Sequence, residues 1–139
     1  MKTKALAMAA VLLSIVTARA QTTEIVLSCN GRSKVDDQEH PLKNGRLVIN
    51  LSTNTVASFG VVSKIDRIDD AIISFQGKRT FDDKGENSTL YTSLSGQIDR
   101  ITGKADIMVY DYGYKYNGIN PPIETSYSSH LDLICTSTK

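Results

Sequence analysis

Residues 90–110 read Leu-Tyr-Thr-Ser-Leu-Ser-Gly-Gln-Ile-Asp-Arg-Ile-Thr-Gly-Lys-Ala-Asp-Ile-Met-Val-Tyr, the pattern of two β-strands joined by a short turn. Leu90, Thr92, Leu94, Gly96 and Ile98 share one face at period two, and Ala105, Ile107 and Val109 do the same after the turn. One side of the pair can therefore pack while the other faces water. The connector Asp99-Arg100-Ile101-Thr102-Gly103 is a structural turn. The Asp99 carboxylate can accept a hydrogen bond from a backbone N–H two residues on, and Gly103 supplies the positive φ needed to enter the return strand.

Working outward from this hairpin, strand patterns recur and no amphipathic run at helical period is found beyond the first twenty residues. The alternation predicts about eight strands, over 24–35, 46–51, 55–60, 61–68, 71–76, 88–98, 104–114 and 123–135. Turns are expected at Asn44-Gly45 and Asp69-Asp70, and the polar run Gly77 to Asn87 is expected to be a surface loop. Ile65-Asp66-Arg67-Ile68 recurs as Ile98-Asp99-Arg100-Ile101, and is taken as the same turn opening used twice. Placing Val109 opposite Leu131, Ile107 opposite Leu133 and Ala105 opposite Cys135 makes three apolar pairs agree on one register for the last two strands. Antiparallel strands of this number joined by short turns give an all-β fold, an up-and-down barrel or a sandwich.

The first twenty residues read differently. Lys2 and Lys4 precede an apolar run from Ala5 to Val16, followed by Ala18-Arg19-Ala20. This is the pattern of a secretory signal peptide cleaved before Gln21, with a run too short to span a bilayer. Residues 21–139 then form a single β domain, and no membrane insertion is expected after cleavage. Three of the 16 basic residues leave with the signal, so 13 stand against 15 acidic ones, a net charge of −2. Nucleic acid is not expected as a partner of such a chain. Cys29 and Cys135 are the two cysteines. Each ends an alternating apolar row, Ile25-x-Leu27-x-Cys29 and Leu131-x-Leu133-x-Cys135, so a disulfide joining the first and last strands is expected, in a periplasmic or secreted protein.

The chain resembles a group of small exported bacterial proteins of unknown function. The resemblance rests on the signal peptide, the Cys29-Asn30-Gly31 strand, the Ile-Asp-Arg-x-Thr-Gly turn from Ile98 to Gly103, and the last strand ending Leu131 to Cys135. It carries no catalytic or binding residues with it. In size and layout the chain also resembles small periplasmic barrels that inhibit lysozymes, without their inhibitory loop motifs.

Tyr110, Tyr112, Tyr114 and Tyr116 alternate and would share one face of the seventh strand if it stays extended that far. In the register above their partners are His130, Ser128, Ser126 and Glu124. Aromatic planes flanked by hydroxyls, an imidazole and a carboxylate suit a partner-binding surface, because tyrosine gives a rigid contact area with a polar tip. Ser128, His130 and Asp132 also alternate, but a straight row on one strand lacks the glycine elbow and oxyanion turn of a hydrolase. No catalytic residue is assigned. The clusters Asp36, Asp37, Glu39, His40 and Asp82, Asp83, Glu86 lack the spacing of calcium or zinc ligands, so no metal and no cofactor are expected. The reading is a non-enzymatic, monomeric binding module for a protein or glycan of the cell envelope. A small apolar ligand carrier of lipocalin-like type is the alternative, and a hydrolase is a more distant one.

Overall fold

The computed structural model describes residues 24–118 and 122–138. The signal-peptide and cleavage-site expectations lie outside the described residues. Eight strands follow the alternation: β1 (Glu24–Val35), β2 (Gln38–Asn50), β3 (Thr55–Ser58), β4 (Val61–Ile68), β5 (Ile72–Asp83), β6 (Ser88–Asp99), β7 (Lys104–Lys115) and β8 (Ile123–Ser137). Each pairs antiparallel with its neighbours in the chain, and β8 returns to pair with β1, so the sheet closes as an up-and-down barrel. The barrel decides between the two expected architectures. Closure also removes the two edges that β1 and β8 would otherwise expose.

The inward rows make the core. Phe75, Leu47, Leu94, Ile107, Leu133, Val56 and Val61 are essentially inaccessible to solvent, with Ile49, Ile65, Ile73, Ile98, Ala105 and Leu131 around them. Burying a side chain of this kind contributes about 1.5–3 kcal/mol. Cys29 and Cys135 face each other across the β1–β8 seam and form a disulfide, with Cα atoms 4.0 Å apart. Gly31 sits beside this seam, where an added Cβ would run into the backbone carbonyl of Asp132. Only a residue without a side chain lets β1 and β8 approach so closely.

The 99–103 turn is built as its residues suggest. Asp99 Oδ1 accepts the N–H groups of Ile101 and Thr102 at 2.8 and 2.9 Å, and these two bonds hold its carboxyl below the ordinary carboxylate value. Gly103 takes φ +75°, and a Cβ there would meet the Cys135 carbonyl. The Asp69 turn repeats the device, with Asp69 Oδ1 accepting from Ala71 and Ile72. The sequence repeat points elsewhere. Asp66, the counterpart of Asp99 in it, stays within β4 at a bulge between Ile65 and Arg67, while Asp69 makes the turn.

Three expectations are corrected. The first hairpin turns at Asp36-Asp37, both at positive φ, and Asn44-Gly45 lies inside β2 as an irregularity opposite Cys29, Asn30 and Gly31. Asn44 N–H donates to Asn30 Oδ1 at 2.9 Å there. Pro41 is tolerated because β2 pairs with β3 only over Leu47–Asn50, so that stretch of β2 lacks a second neighbour. The polar run 77–87 is not a loop. β5 continues to Asp83 and pairs with β6 throughout, leaving a tight turn capped by Asp83 Oδ1 on the N–H groups of Gly85 and Glu86. Finally, the β7–β8 register is shifted by two residues from expectation. Ile107 faces Leu131, Ala105 faces Leu133 and Val109 faces Ser129. A shift of two keeps every side chain on its face, so alternation could not detect it.

Strand lengths shape the molecule. β3 and β4 meet at the Phe59-Gly60 turn, so their wall is low, whereas β5 to β8 run on past it. β1 accompanies β8 only as far as the Val35–Ser129 pair, so residues 124–128 of β8 rise beyond it. One end of the barrel therefore opens as a cup backed by a four-stranded sheet with an inner and an outer face.

Candidate functional site

The outer face of that sheet gathers tyrosines from two strands. Tyr110, Tyr112 and Tyr114 alternate along β7, and Tyr91 of β6 lies directly opposite Tyr112. The Tyr112 and Tyr114 rings meet edge to face with centroids 4.7 Å apart, and Tyr91 meets Tyr114 in the same manner at 6.4 Å. Such pairs add stability beyond area burial. The Tyr112 hydroxyl donates to the Tyr114 hydroxyl at 2.5 Å. This bond, followed by desolvation and the nearby Glu124 charge, holds the Tyr112 phenol well above the ordinary 10.0. Tyr91 and Tyr110 are 44 % and 47 % exposed, so this face presents rings to solvent, with Tyr91, Tyr112 and Tyr114 held by ring contacts through Tyr114.

The shifted register rearranges the expected neighbours. Tyr110 faces Ser128, Tyr112 faces Ser126 and Tyr114 faces Glu124, while His130 faces Met108 one row below the tyrosines. His130 Nε2 lies 3.0 Å from Asp106 Oδ2 on β7, so this imidazole turns across the sheet rather than along its own strand. Tyr116 lies past the end of β7, where its backbone N–H donates to the Asn87 carbonyl and its own carbonyl accepts from the Asn87 side-chain amide, apart from the three-tyrosine row. Tyr91 was missed because its partner Tyr112 is found only through the β6–β7 register. Below the tyrosines an outward groove of about 500 Å³ is lined by Asp66, Gln76, Gln97, Asp106 and Met108, an array of carboxylates and amides suited to hydroxyl groups.

The inner face holds a second concavity, of about 350 Å³, in the open cup. Its apolar walls come from Leu42, Leu90, Val109 and Leu131, and Phe59 stands at the low β3–β4 wall. Thr92 and Asp111, paired across β6 and β7, are joined by a hydroxyl-to-carboxylate bond of 2.6 Å. Arg79, paired with Thr92 from the other side, reaches over the wall to the Gly60 carbonyl at 3.2 Å. On the same face Phe81, one inward position beyond Arg79, and Tyr127, directly opposite Asp111, are 55 % and 53 % exposed despite their inward register. Reading 77–87 as a loop hid Arg79 and Phe81, although Gly77, Arg79 and Phe81 keep the period-two row of Ile73 and Phe75.

The Cys29–Cys135 disulfide is consistent with an oxidising compartment, outside the cell or in a periplasm. Among the described residues, no three of His, Cys, Asp and Glu converge in a way that could hold a metal ion, and no helix is long and apolar enough to cross a membrane. No family model, no curated protein and no solved structure matches the chain.

Proposed function

We propose that this chain is a non-enzymatic, exported binding module that works as a monomer and holds a protein or glycan of the cell envelope on its tyrosine face. The observation that carries the reading is the cluster of Tyr91, Tyr110, Tyr112 and Tyr114 on the outer face of the sheet that rises above the closed barrel. The barrel core does not use these rings, and clustered aromatic planes with polar tips are the anchors most often found at the centre of interfaces. The adjoining groove of carboxylates and amides supports a hydroxyl-rich partner surface. Export is supported by the signal-like first twenty residues and by the disulfide, and resemblance to the small exported proteins with this turn and cysteine pair fits the same setting. Charged outward positions such as Lys64, Asp66, Asp106 and Asp132 stand where a membrane barrel would carry an apolar band.

The test is capture from cell-envelope extract by the purified, oxidised protein beside a Tyr112→Ser/Tyr114→Ser variant, with thermal melts of both. Loss of a specific partner from a variant that still melts cooperatively supports the tyrosine face. Undiminished capture of that partner removes this face from the reading.

A further inference from the structure

The cup on the inner face carries a different chemistry from the tyrosine face, and the geometry points to a binding site there for a small zwitterion with an apolar body, of the size of a dipeptide. Among the described residues, Arg79 and Asp111 are the only charged side chains lining this cavity. They stand on either side of Thr92 in one cross-strand row, which places their backbones two strand spacings, about 10 Å, apart. Among the described residues neither enters an ion pair.

Each charge is held in position but keeps bonding capacity. Thr92, 7 % exposed, donates to Asp111 Oδ1, which orients the carboxylate and leaves Oδ2 for a cationic donor. Arg79 uses Nη1 on the Gly60 carbonyl, and the rest of its guanidinium can take a carboxylate in the two-pronged manner that arginine favours. Beside the charges the cavity is walled by Leu42, Leu90, Val109 and Leu131. A ligand with an ammonium at one end, a carboxylate at the other and apolar groups between them satisfies all three surfaces. About 350 Å³ is enough for such a molecule, and barrel mouths with a few convergent polar groups are common ligand sites. A purely apolar ligand, as in the lipocalin-like alternative, would face both charges without supplying either with a counter-charge.

The test is a chemical-shift titration of the isotope-labelled protein with the dipeptide Leu-Phe, its N-acetylated form and its C-terminal amide. The expected result is saturable movement of the Arg79, Thr92, Val109 and Asp111 amides. Each cap should weaken binding by about tenfold or more, as loss of a charge-assisted bond does. Asp111→Asn should weaken Leu-Phe and leave the acetylated form unchanged, and Arg79→Gln should do the same for the amide pair. The proposal is overturned if Leu-Phe gives no saturable shift at roughly 10 mM, where even a feeble site would begin to fill. It is also overturned if the capped forms bind as well as the free dipeptide, or if the shifts fall outside the cup. Because the tyrosine face is not titrated, loss of capture in the Tyr112→Ser/Tyr114→Ser variant is a separate result.

Discussion

At the scale of single residues, Tyr112 departs from the ordinary behaviour of a tyrosine. Its phenol donates to Tyr114 and is held protonated above the ordinary 10.0. A raised pKa in the folded state means that the contribution to stability is complete below that ordinary value and drains away as pH rises toward the folded value. Spectrophotometric titration of the tyrosines should therefore show one phenol ionising later than the others, and Tyr114→Phe should bring it back toward them. Ser63 makes the opposite case. Its hydroxyl is buried without a hydrogen-bond partner among the described residues and lies against Gly77. Ser63→Ala should leave stability unchanged or raise it by up to about 1 kcal/mol in urea unfolding, because removing an unsatisfied buried hydroxyl removes its desolvation cost. The tyrosine row was legible because alternation alone defines it, and so was the Asp99 cap, because its bonds span two and three residues. The Tyr91 contact and the His130–Asp106 pair were not, since both depend on which residue of another strand lies opposite.

At the scale of elements, β5 shows how one strand divides between two environments. Phe75 and Phe81 share a face six residues apart, yet Phe75 is 1 % exposed and Phe81 is 55 % exposed. Phe75→Ala should cost about 3–5 kcal/mol, the range for truncating a buried aromatic side chain. Phe81→Ala should stay within about 0.5 kcal/mol, as surface changes do. Equilibrium unfolding of the two variants side by side checks this, and a large loss at Phe81 would mean that the cup wall is covered in solution. Lys78, Arg79, Thr80, Asp82 and Asp83 are polar, so sequence polarity ends the strand at Gln76. Polarity follows exposure, and a strand wall standing clear of the core is polar for the same reason a loop is. The first hairpin turn is ambiguous on the same local grounds. Asn44-Gly45 and Asp36-Asp37 can both adopt positive φ, and the β1–β8 seam, invisible in a local window, decided between them.

At the scale of the whole molecule, the disulfide ties the two strands that close the barrel, across 106 positions of sequence. Restricting so long a segment of the unfolded chain is worth about 5 kcal/mol in the loop-entropy description. Replacing both cysteines by alanine should lower the unfolding free energy by that order in urea, while the β1–β8 ladder keeps the native sheet intact in circular dichroism. Eight strands, their antiparallel succession and the cysteine pair were written in the sequence, because period-two alternation, turn residues and two cysteines are all short-range or compositional signals. Three features belonged to the tertiary structure alone: the closure into a barrel, the register in which β7 meets β8, and the overhanging sheet that opens a cup on one face and presents tyrosines on the other. A period of two is blind to a shift of two, and the height of each wall depends on how far its neighbours extend. Partners therefore had to be chosen by closing the sheet on itself, a constraint that no stretch of the chain contains.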